Sequence, residues 1–485
     1  MGSPGRGSSG FLARQSALRG KVSISACSVD RIALERRAIG LVNQGRSQEA
    51  EDIYRWIIAA GTSNNAVCGN LAAISGTRGG FDERMYLLGK ALELQPNCPE
   101  AHNSLGNALK AQGKLDAAIA SYRKALKVRP DFSDAHNNLG NALMGQGDLD
   151  AAISSYRKAL KLRPSSPEVH NNLGNALKDK GDLDAAIASY RKALKLRPSF
   201  SEVYSNLGLS LQEKGDLGAA IASYRKALTL RPNSPEAHNN LGYALQEQGD
   251  LNAAIASYNK ALELKADFPE AHNNLGAALQ SQGDLNAAIA SYDKSLELNP
   301  SYAEAYGNLG SALKAQGQLD AAIASLRKVV ELKPHFPEAH NNLGAALQEH
   351  GDLPAAIASY NRALELRPGY PEARNNLGTA LNAQGNIHSA MAFYKSALEL
   401  NPNYPEAHYN LGNALQENGD LAAAIDSYNK ALELKSSYPD ARNNLGNALQ
   451  EHGDLAAAIA SYSKAIALKP DCLEAQSNLS MAELL

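Results

Sequence analysis

The chain has 485 residues and a formal net charge of −2, with 48 basic and 50 acidic side chains. This balance gives no support for a surface that binds nucleic acid through net charge, so no nucleic-acid partner is expected. The four cysteines form no C-x-x-C pair, which excludes the common zinc spacings and favours a reducing, cytoplasmic setting. No apolar run reaches the length of about 18 residues that a membrane span requires, so no membrane insertion is expected.

Residues 1–30 precede the first helical pattern. Residues 1–29 contain no acidic side chain and carry Arg6, Arg14, Arg19 and Lys21. We expect a disordered basic tail here. An organelle transit peptide has the same Arg- and Ser-rich, acid-poor composition and remains the alternative, in which case the tail directs import.

The rest of the chain repeats with a period of 34 residues. A leucine marks the period, and glycine follows it in every case except the last: Leu105, Leu139, Leu173, Leu207, Leu241, Leu275, Leu309, Leu343, Leu377, Leu411, Leu445 and Leu479. With position one placed six residues before this leucine, eleven full repeats span residues 99–472, and a partial repeat with one helix spans residues 473–485. Gly45, Tyr54 and Leu71 keep the same phase, so residues 31–98 are interpreted as two degenerate repeats that cap the array.

Each repeat predicts two helices. In the repeat that starts at Pro269, the first helix is expected over residues 269–282, because proline is favourable in the first turn of a helix. Gly283 can adopt the left-handed conformation that ends a helix, and Asp284 is a good N-cap for the second helix. Pairs of helices this short bury their apolar stripes only by stacking on neighbours, so the sequence predicts an all-α solenoid.

These repeats resemble the tetratricopeptide repeat family. Leu-Gly at positions seven and eight, Ala at twenty, Tyr at twenty-four, Ala at twenty-seven and Pro at thirty-two carry the resemblance. It implies a right-handed superhelical solenoid of helix-turn-helix repeats. Position four departs from the family pattern, being mostly His instead of a large aromatic residue. The repeat at 303–336 carries Leu326 and Val329 in place of Tyr and Ala, and we expect different local packing there.

A narrower resemblance lies in the words "AHNNLG" and "EAEDIYRWIIAAGTSNNAVCGNLAAI". The first is similar to the repeat arm of O-linked N-acetylglucosamine transferases, in which Asn at position six of successive repeats forms a ladder that holds the backbone of a bound peptide. The second resembles the start of cyanobacterial repeat proteins, several of which carry a transferase domain after the array. The resemblance implies a binding arm, with no catalytic domain in this sequence.

The residues themselves favour a role for position six. At 100° per residue this position falls outside the apolar stripe made by positions three, seven, ten and eleven. A side-chain amide can pair bidentately with a peptide unit, and we predict that the position-six asparagines bind peptide: Asn138, Asn172, Asn206, Asn240, Asn274, Asn308, Asn342, Asn376, Asn410 and Asn444. Two structural alternatives remain open, namely inheritance by duplication of repeats and a bridge between adjacent helices. Position five varies more, so Asn137 is interpreted as a solvated surface residue.

The other recurring polar positions have simpler interpretations. The position-four histidines lie on separate repeats, too far apart for one metal centre, so packing or surface roles are expected. Lysine at position twenty-six is expected to form a solvated face, with an acidic partner as the alternative. No catalytic or cofactor-binding motif is present, and no cofactor is expected.

The leading hypothesis is a non-enzymatic scaffold that binds an extended protein segment along first-helix positions two, five, six and nine. The first alternative is the substrate-recognition arm of a transferase, with the catalytic subunit supplied by another chain. The second is a purely architectural spacer.

Overall fold

The structure is a computed structural model and describes residues 31–59, 67, 70–71, 85, 88–89, 91–93 and 95–484. All regular secondary structure in these residues is α-helical. The first two helices within the described residues are α1 (Arg31–Asn43) and α2 (Ser47–Ala59). The expected basic tail at 1–30 and most of residues 60–94 lie outside the described residues.

The chain divides into an N-terminal unit that ends at Pro232 and a C-terminal unit that begins at Asn233. The repeats of the N-terminal unit contain α3 (Pro99–Ala111), α4 (Leu115–Val128), α5 (Ser133–Gln146), α6 (Leu149–Leu162), α7 (Pro167–Asp179), α8 (Leu183–Leu196), α9 (Ser201–Glu213) and α10 (Leu217–Leu230). Nothing in the 34-residue pattern predicts the boundary between the units, because the period runs through it unchanged.

The C-terminal unit continues the same alternation of helices. Its helices are α11 (Pro235–Gln248), α12 (Leu251–Leu264), α13 (Pro269–Gln282), α14 (Leu285–Leu298), α15 (Ala303–Ala315), α16 (Leu319–Leu332), α17 (Pro337–His350), α18 (Leu353–Leu366), α19 (Pro371–Ala383), α20 (Ile387–Leu400), α21 (Pro405–Glu417), α22 (Leu421–Leu434), α23 (Pro439–His452), α24 (Leu455–Leu468) and α25 (Leu473–Ala482). From α3 onward, odd numbers are the first helices of the repeats and even numbers the second. The predicted all-α solenoid is confirmed in each unit.

The predicted boundaries of α13 and α14 are confirmed. The first helix ends at Gln282, and Gly283 follows with a φ of +92°, a conformation that glycine adopts without strain. The Oδ1 atom of Asp284 accepts a hydrogen bond from the backbone N–H of Ala287 at 3.0 Å, which caps the second helix. The same glycine and aspartate offsets end and start helices in most repeats, so the local sequence sets the helix-turn-helix geometry.

The core of each repeat is built around the tyrosine at position twenty-four. Tyr190, for example, is fully buried against Gly174 at position eight. A Cβ added at Gly174 would lie 2.5 Å from Cε1 of Tyr190, so the close approach of the two helices requires glycine. The exceptional Leu326 occupies the same site against Gly310, and Leu326 and Val329 are both buried. Different side chains therefore fill the core of that repeat.

No helix in the described part of the chain is both long and apolar enough to span a membrane.

Candidate peptide-binding surface

Most of the position-six asparagines connect neighbouring first helices. In the N-terminal unit their Nδ2 atoms donate to Oδ1 of the asparagine at position five of the preceding repeat, each at 3.0 Å: Asn138 to Asn103, Asn172 to Asn137, and Asn206 to Asn171. The C-terminal unit repeats the bond at 2.9–3.1 Å: Asn274 to Asn239, Asn308 to Asn273, Asn376 to Asn341, and Asn410 to Asn375. We call these linked side chains the amide ladder.

Position nine supplies a second acceptor to the ladder. Nδ2 of Asn206 lies 3.2 Å from Oδ1 of Asn175, which is at position nine of the preceding repeat. Asn444 bonds to Oδ1 of Asn413 at 3.0 Å and to the hydroxyl of Tyr409, which replaces Asn at position five, at 3.1 Å. The ladder thus tolerates a change of acceptor, provided that an oxygen stays within reach of the position-six N–H.

The interpretation of position five as a solvated surface was wrong. Asn137 accepts a hydrogen bond from Asn172, and only 4% of Asn171, 1% of Asn273 and 3% of Asn443 is exposed. A helical wheel places position five opposite the apolar stripe, but it represents one helix alone. In the array, the first helix of the next repeat packs beside this face and covers it.

Two of the predicted residues, Asn240 and Asn342, form no ladder bond with a described residue, and the repeats before them have Ser205 and Gly307 at position five. Asn342 follows a repeat in which position five is Gly307, and its side chain forms no hydrogen bond with any described residue. It is also exposed, whereas the other nine predicted residues, including Asn240, are half-buried. A Cβ at Gly307 would meet only Cγ2 of Val329, at 4.0 Å, so a larger side chain has room there. Asn342 is therefore exposed and has no hydrogen bond within the described residues.

A carboxylate near the start of each first helix is paired, in several repeats, with a cation at the end of the second helix. Position two is acidic in every repeat, and in several repeats it pairs with a cation at position thirty-one, as in Glu100–Arg129 at 2.6 Å. The Arg129 guanidinium also stacks 3.6 Å from the centroid of the Phe132 ring. Burial raises the pKa of Glu168, but the bonds from its own backbone N–H and from Arg197 outweigh this effect and lower the pKa below its usual value. Glu168 is therefore a fixed negative charge.

The position-four histidines join each repeat to the loop before it. Nε2 of His136 donates to the carbonyl of Pro130 at 2.9 Å, and five other histidines at this position make the same bond to the residue six earlier: His102, His170, His272, His340 and His408. Burial lowers the pKa of His170 and of His272, which favours the neutral form of both rings. Among the described residues no three His, Cys, Asp or Glu side chains come close enough to bind a metal ion.

Known families match most of the chain. A model described as tetratricopeptide repeat matches residues 86–131, 103–167, 409–472 and 443–485, and one described as TPR repeat matches residues 174–215, 211–249, 244–283, 310–351, 349–385 and 378–419. Two further tetratricopeptide repeat models match residues 269–302, and residues 155–188 and 291–324. The matches run without a gap from residue 86 to residue 485. No curated protein sequence matches the chain.

Solved structures give partial likenesses. The APC/C hetero-tetramer Cut9-Hcn1 aligns with 98% of this chain and 99% of its own, at 16% identity and a TM-score of 0.46. MamA aligns at 30% identity over 33% of this chain and 95% of its own, with a TM-score of 0.32. Pseudomonas aeruginosa pilF aligns at 23% identity over 43% and 94%, with a TM-score of 0.39. From the period, the helix pairs and the matches to the repeat models, we conclude that the chain belongs to the tetratricopeptide repeat family, whose members are scaffolds for protein interactions.

Proposed function

We propose that the first-helix surface of positions two, five, six and nine binds an extended segment of another protein. Membership of a scaffold family supports a protein ligand in general. The amide ladder is the observation that supports this surface and this ligand conformation.

At Asn206, Asn410 and Asn444 the position-six amide donates to two acceptors of the preceding repeat. At four other residues the ladder uses only one of the two N–H groups: Asn138, Asn172, Asn274 and Asn308. There the Oδ1 atom and the second N–H are the groups offered to a ligand, and together they match the N–H and C=O of a peptide unit. Because the bond to position five already fixes the amide, little side-chain entropy is lost when a ligand binds. First helices packed roughly 10 Å apart would place one amide beside every third residue of an extended chain, which rises about 3.3 Å per residue.

The test begins with selection of binding peptides from a random displayed library. Each selected peptide is then resynthesised with one backbone amide replaced by an ester, which removes an N–H donor and leaves the side chains unchanged. If the ladder recognises the backbone, an ester at a contacting residue weakens binding by about tenfold, equivalent to one hydrogen bond of roughly 1.4 kcal/mol. Esters with no effect at every residue would argue against backbone recognition.

Asn342 allows the binding role to be separated from the structural one. Its side chain has no hydrogen bond to lose within the described structure, so Asn342→Ala is expected to weaken peptide binding and leave the melting temperature unchanged. Asn308→Ala removes a 2.9 Å bond to Asn273 and should affect both. A matched control is Lys260→Ala on the second helix α12. Equal peptide affinity for the Asn342 variant and the wild type would exclude this residue from the site.

A transferase catalytic subunit is the alternative partner, favoured by the "AHNNLG" resemblance. In this case the array would present a substrate to an enzyme on another chain. Proteins captured by the array would be assayed for transfer of N-acetylglucosamine from its UDP-sugar to the selected peptides. If no sugar is transferred although the array in the captured material still binds the peptide, this function is contradicted.

A further inference from the structure

The second helices of the N-terminal unit carry an excess of cations. Basic residues occupy positions 25, 26 and 29 of α4, α6 and α8, as Arg157, Lys158 and Lys161 do in α6, and positions 25 and 26 of α10 as Arg225 and Lys226. We call this set the basic face. All of its side chains are exposed, and none forms an ion pair with another described residue. It lies on the second helices, whereas the amide ladder lies on the first.

The C-terminal unit shows that the repeat does not need this charge. In α12 the same three positions are Asn259, Lys260 and Glu263, and Lys260 pairs with Glu263 at 2.6 Å. Four other second helices of this unit pair a cation at position 26 with Glu at position 29, the cation being Lys in α14, α16 and α22 and Arg in α18. The repeat can therefore form a solvated surface on its second helix without an excess of positive charge. Helix α16 keeps cations at positions 25 and 26, as Arg327 and Lys328, but Lys328 is paired with Glu331. Unpaired cations at positions 25, 26 and 29 together occur only in α4, α6 and α8 among the described second helices of the repeats.

The α6 part of the basic face lines a cleft of about 350 Å³. Arg157, Lys158 and Lys161 line it, as does Lys180 of the next repeat. Asp150 and Asp182 also line the cleft, and Asp150 is already paired with Lys180 at 2.5 Å. The remaining positive charge attracts carboxylates, and the cleft has room for an acidic side chain.

Exposed aliphatic side chains accompany the cations. Position thirty follows the cation at position 26 by one helical turn and holds Val128, Leu162, Leu196 and Leu230, which are 37–43% exposed. Single-stranded nucleic acid is usually bound by cations together with aromatic side chains that stack on the bases. No aromatic residue occurs at positions 25, 26, 29 or 30 of these helices. The chemistry fits carboxylates and aliphatic side chains better than phosphates and bases.

We propose that the basic face binds a segment of a partner protein rich in Asp or Glu and in aliphatic residues. Charge complementarity supports this occupant, since residues 99–232 carry 20 basic and 13 acidic side chains. The segment lies across α4, α6, α8 and α10, with carboxylates at positions 25, 26 and 29 and aliphatic side chains at position thirty. This surface is separate from the first-helix surface and its proposed function.

The test uses the full chain and a labelled peptide of Glu, Asp, Leu and Gly, with fluorescence anisotropy as the readout. The triple variant K127E/K161E/K195E gives the basic face the position-29 charge of the C-terminal unit. We expect it to bind the peptide about tenfold or more weakly. The matched control K260E/K294E/K430E changes the net charge equally on second helices of the C-terminal unit, and its affinity should stay within about twofold of the wild type. Helical circular dichroism confirms that each variant folds.

Three further probes distinguish other occupants. A peptide with Leu replaced by Ser should bind more weakly, because it cannot contact position thirty. Single-stranded DNA and vesicles that contain phosphatidylserine should each bind more weakly than the acidic peptide. The proposal is overturned if DNA or vesicles bind more tightly than the acidic peptide, or if both triple variants lose affinity for the peptide equally. It is also overturned if sedimentation shows that the chain associates with itself through the basic face in a salt-dependent way.

Discussion

Residues 99–232 and residues 233–485 are built from the same 34-residue repeat, yet the first stretch carries 20 basic and 13 acidic side chains and the second carries 16 and 29. Their packing is the same in kind. The glycine at position eight lies against the ring at position twenty-four in both units, with Gly174 against Tyr190 and Gly344 against Tyr360. Most positions that face another helix are shared, with Leu326 and Val329 as exceptions, whereas the solvent-facing positions 25, 26 and 29 have diverged. Functional differences between the units should therefore be sought on the solvent-facing side chains.

The largest losses of stability are expected when the buried tyrosine at position twenty-four is removed, and they should be equal in the two units. Tyr190→Ala and Tyr360→Ala each empty a fully buried ring site, and each should lower local stability by about 4 kcal/mol. Because stability in a repeat array is local, hydrogen exchange of amides in the mutated repeat is the appropriate measurement. A large loss in one unit and a small loss in the other would show that the cores differ.

A repair of the amide ladder should have a smaller effect. Gly307→Asn gives Asn342 the acceptor that most other repeats provide, and we expect a coupling energy of about 1 kcal/mol between the two side chains. A double-mutant cycle with Asn342→Ala isolates this bond from the change in helix propensity. A coupling energy near zero would mean that the ladder bonds contribute little to the stability of the array.

Acidification should destabilise both units because histidines at position four become protonated. Burial, with Lys192 near His170 and Lys294 near His272, lowers the folded-state pKa of these histidines below 6.5, outweighing the carbonyl bond. Below pH 6.5 the unfolded chain then binds more protons than the folded chain. The contribution of these histidines to the free energy of unfolding is therefore present above pH 6.5 and is lost as the pH drops from 6.5 towards the folded-state pKa values.

Glutamine is a suitable control for this pH dependence. Gln476 occupies position four naturally and donates to the carbonyl of Pro470 at 2.7 Å. His170→Gln and His272→Gln should therefore keep the bond and reduce the slope of melting temperature against pH. An unchanged slope in the double variant would assign the acid sensitivity to other groups.

The smallest effect concerns the charges that distinguish the units. Glu433→Ala removes an exposed pair with Lys430 and should cost only a few tenths of a kcal/mol, less in high salt. In the other unit, Lys161→Glu gives Lys158 a partner at the same spacing and should change stability by a similarly small amount. Thermal melts at low and high salt measure both. A much larger change would mean that these charges support the fold, contrary to the comparison of the units.

The sequence predicts the fold well because its strongest signals act locally. Gly283 and Asp284 set a turn through their own backbone and side chain, and the structure has both as expected. Position five could not be assigned correctly, because its environment is created by the next helix of the array. The asparagine row was found from recurrence alone, but its hydrogen-bond partners depend on the offset between adjacent first helices. The partner of His136, a carbonyl in the preceding loop, likewise depends on the packed geometry.

The amide ladder also bears on how such an array can change in length. Every rung runs in the same direction, from position six of one repeat to position five of the repeat before it. Excision or insertion of a whole 34-residue segment would therefore join a donor to an equivalent acceptor wherever the repeat before the junction has Asn at position five. The array can lengthen or shorten by recombination in steps of one repeat, and Gly307 marks a junction where that rule is broken.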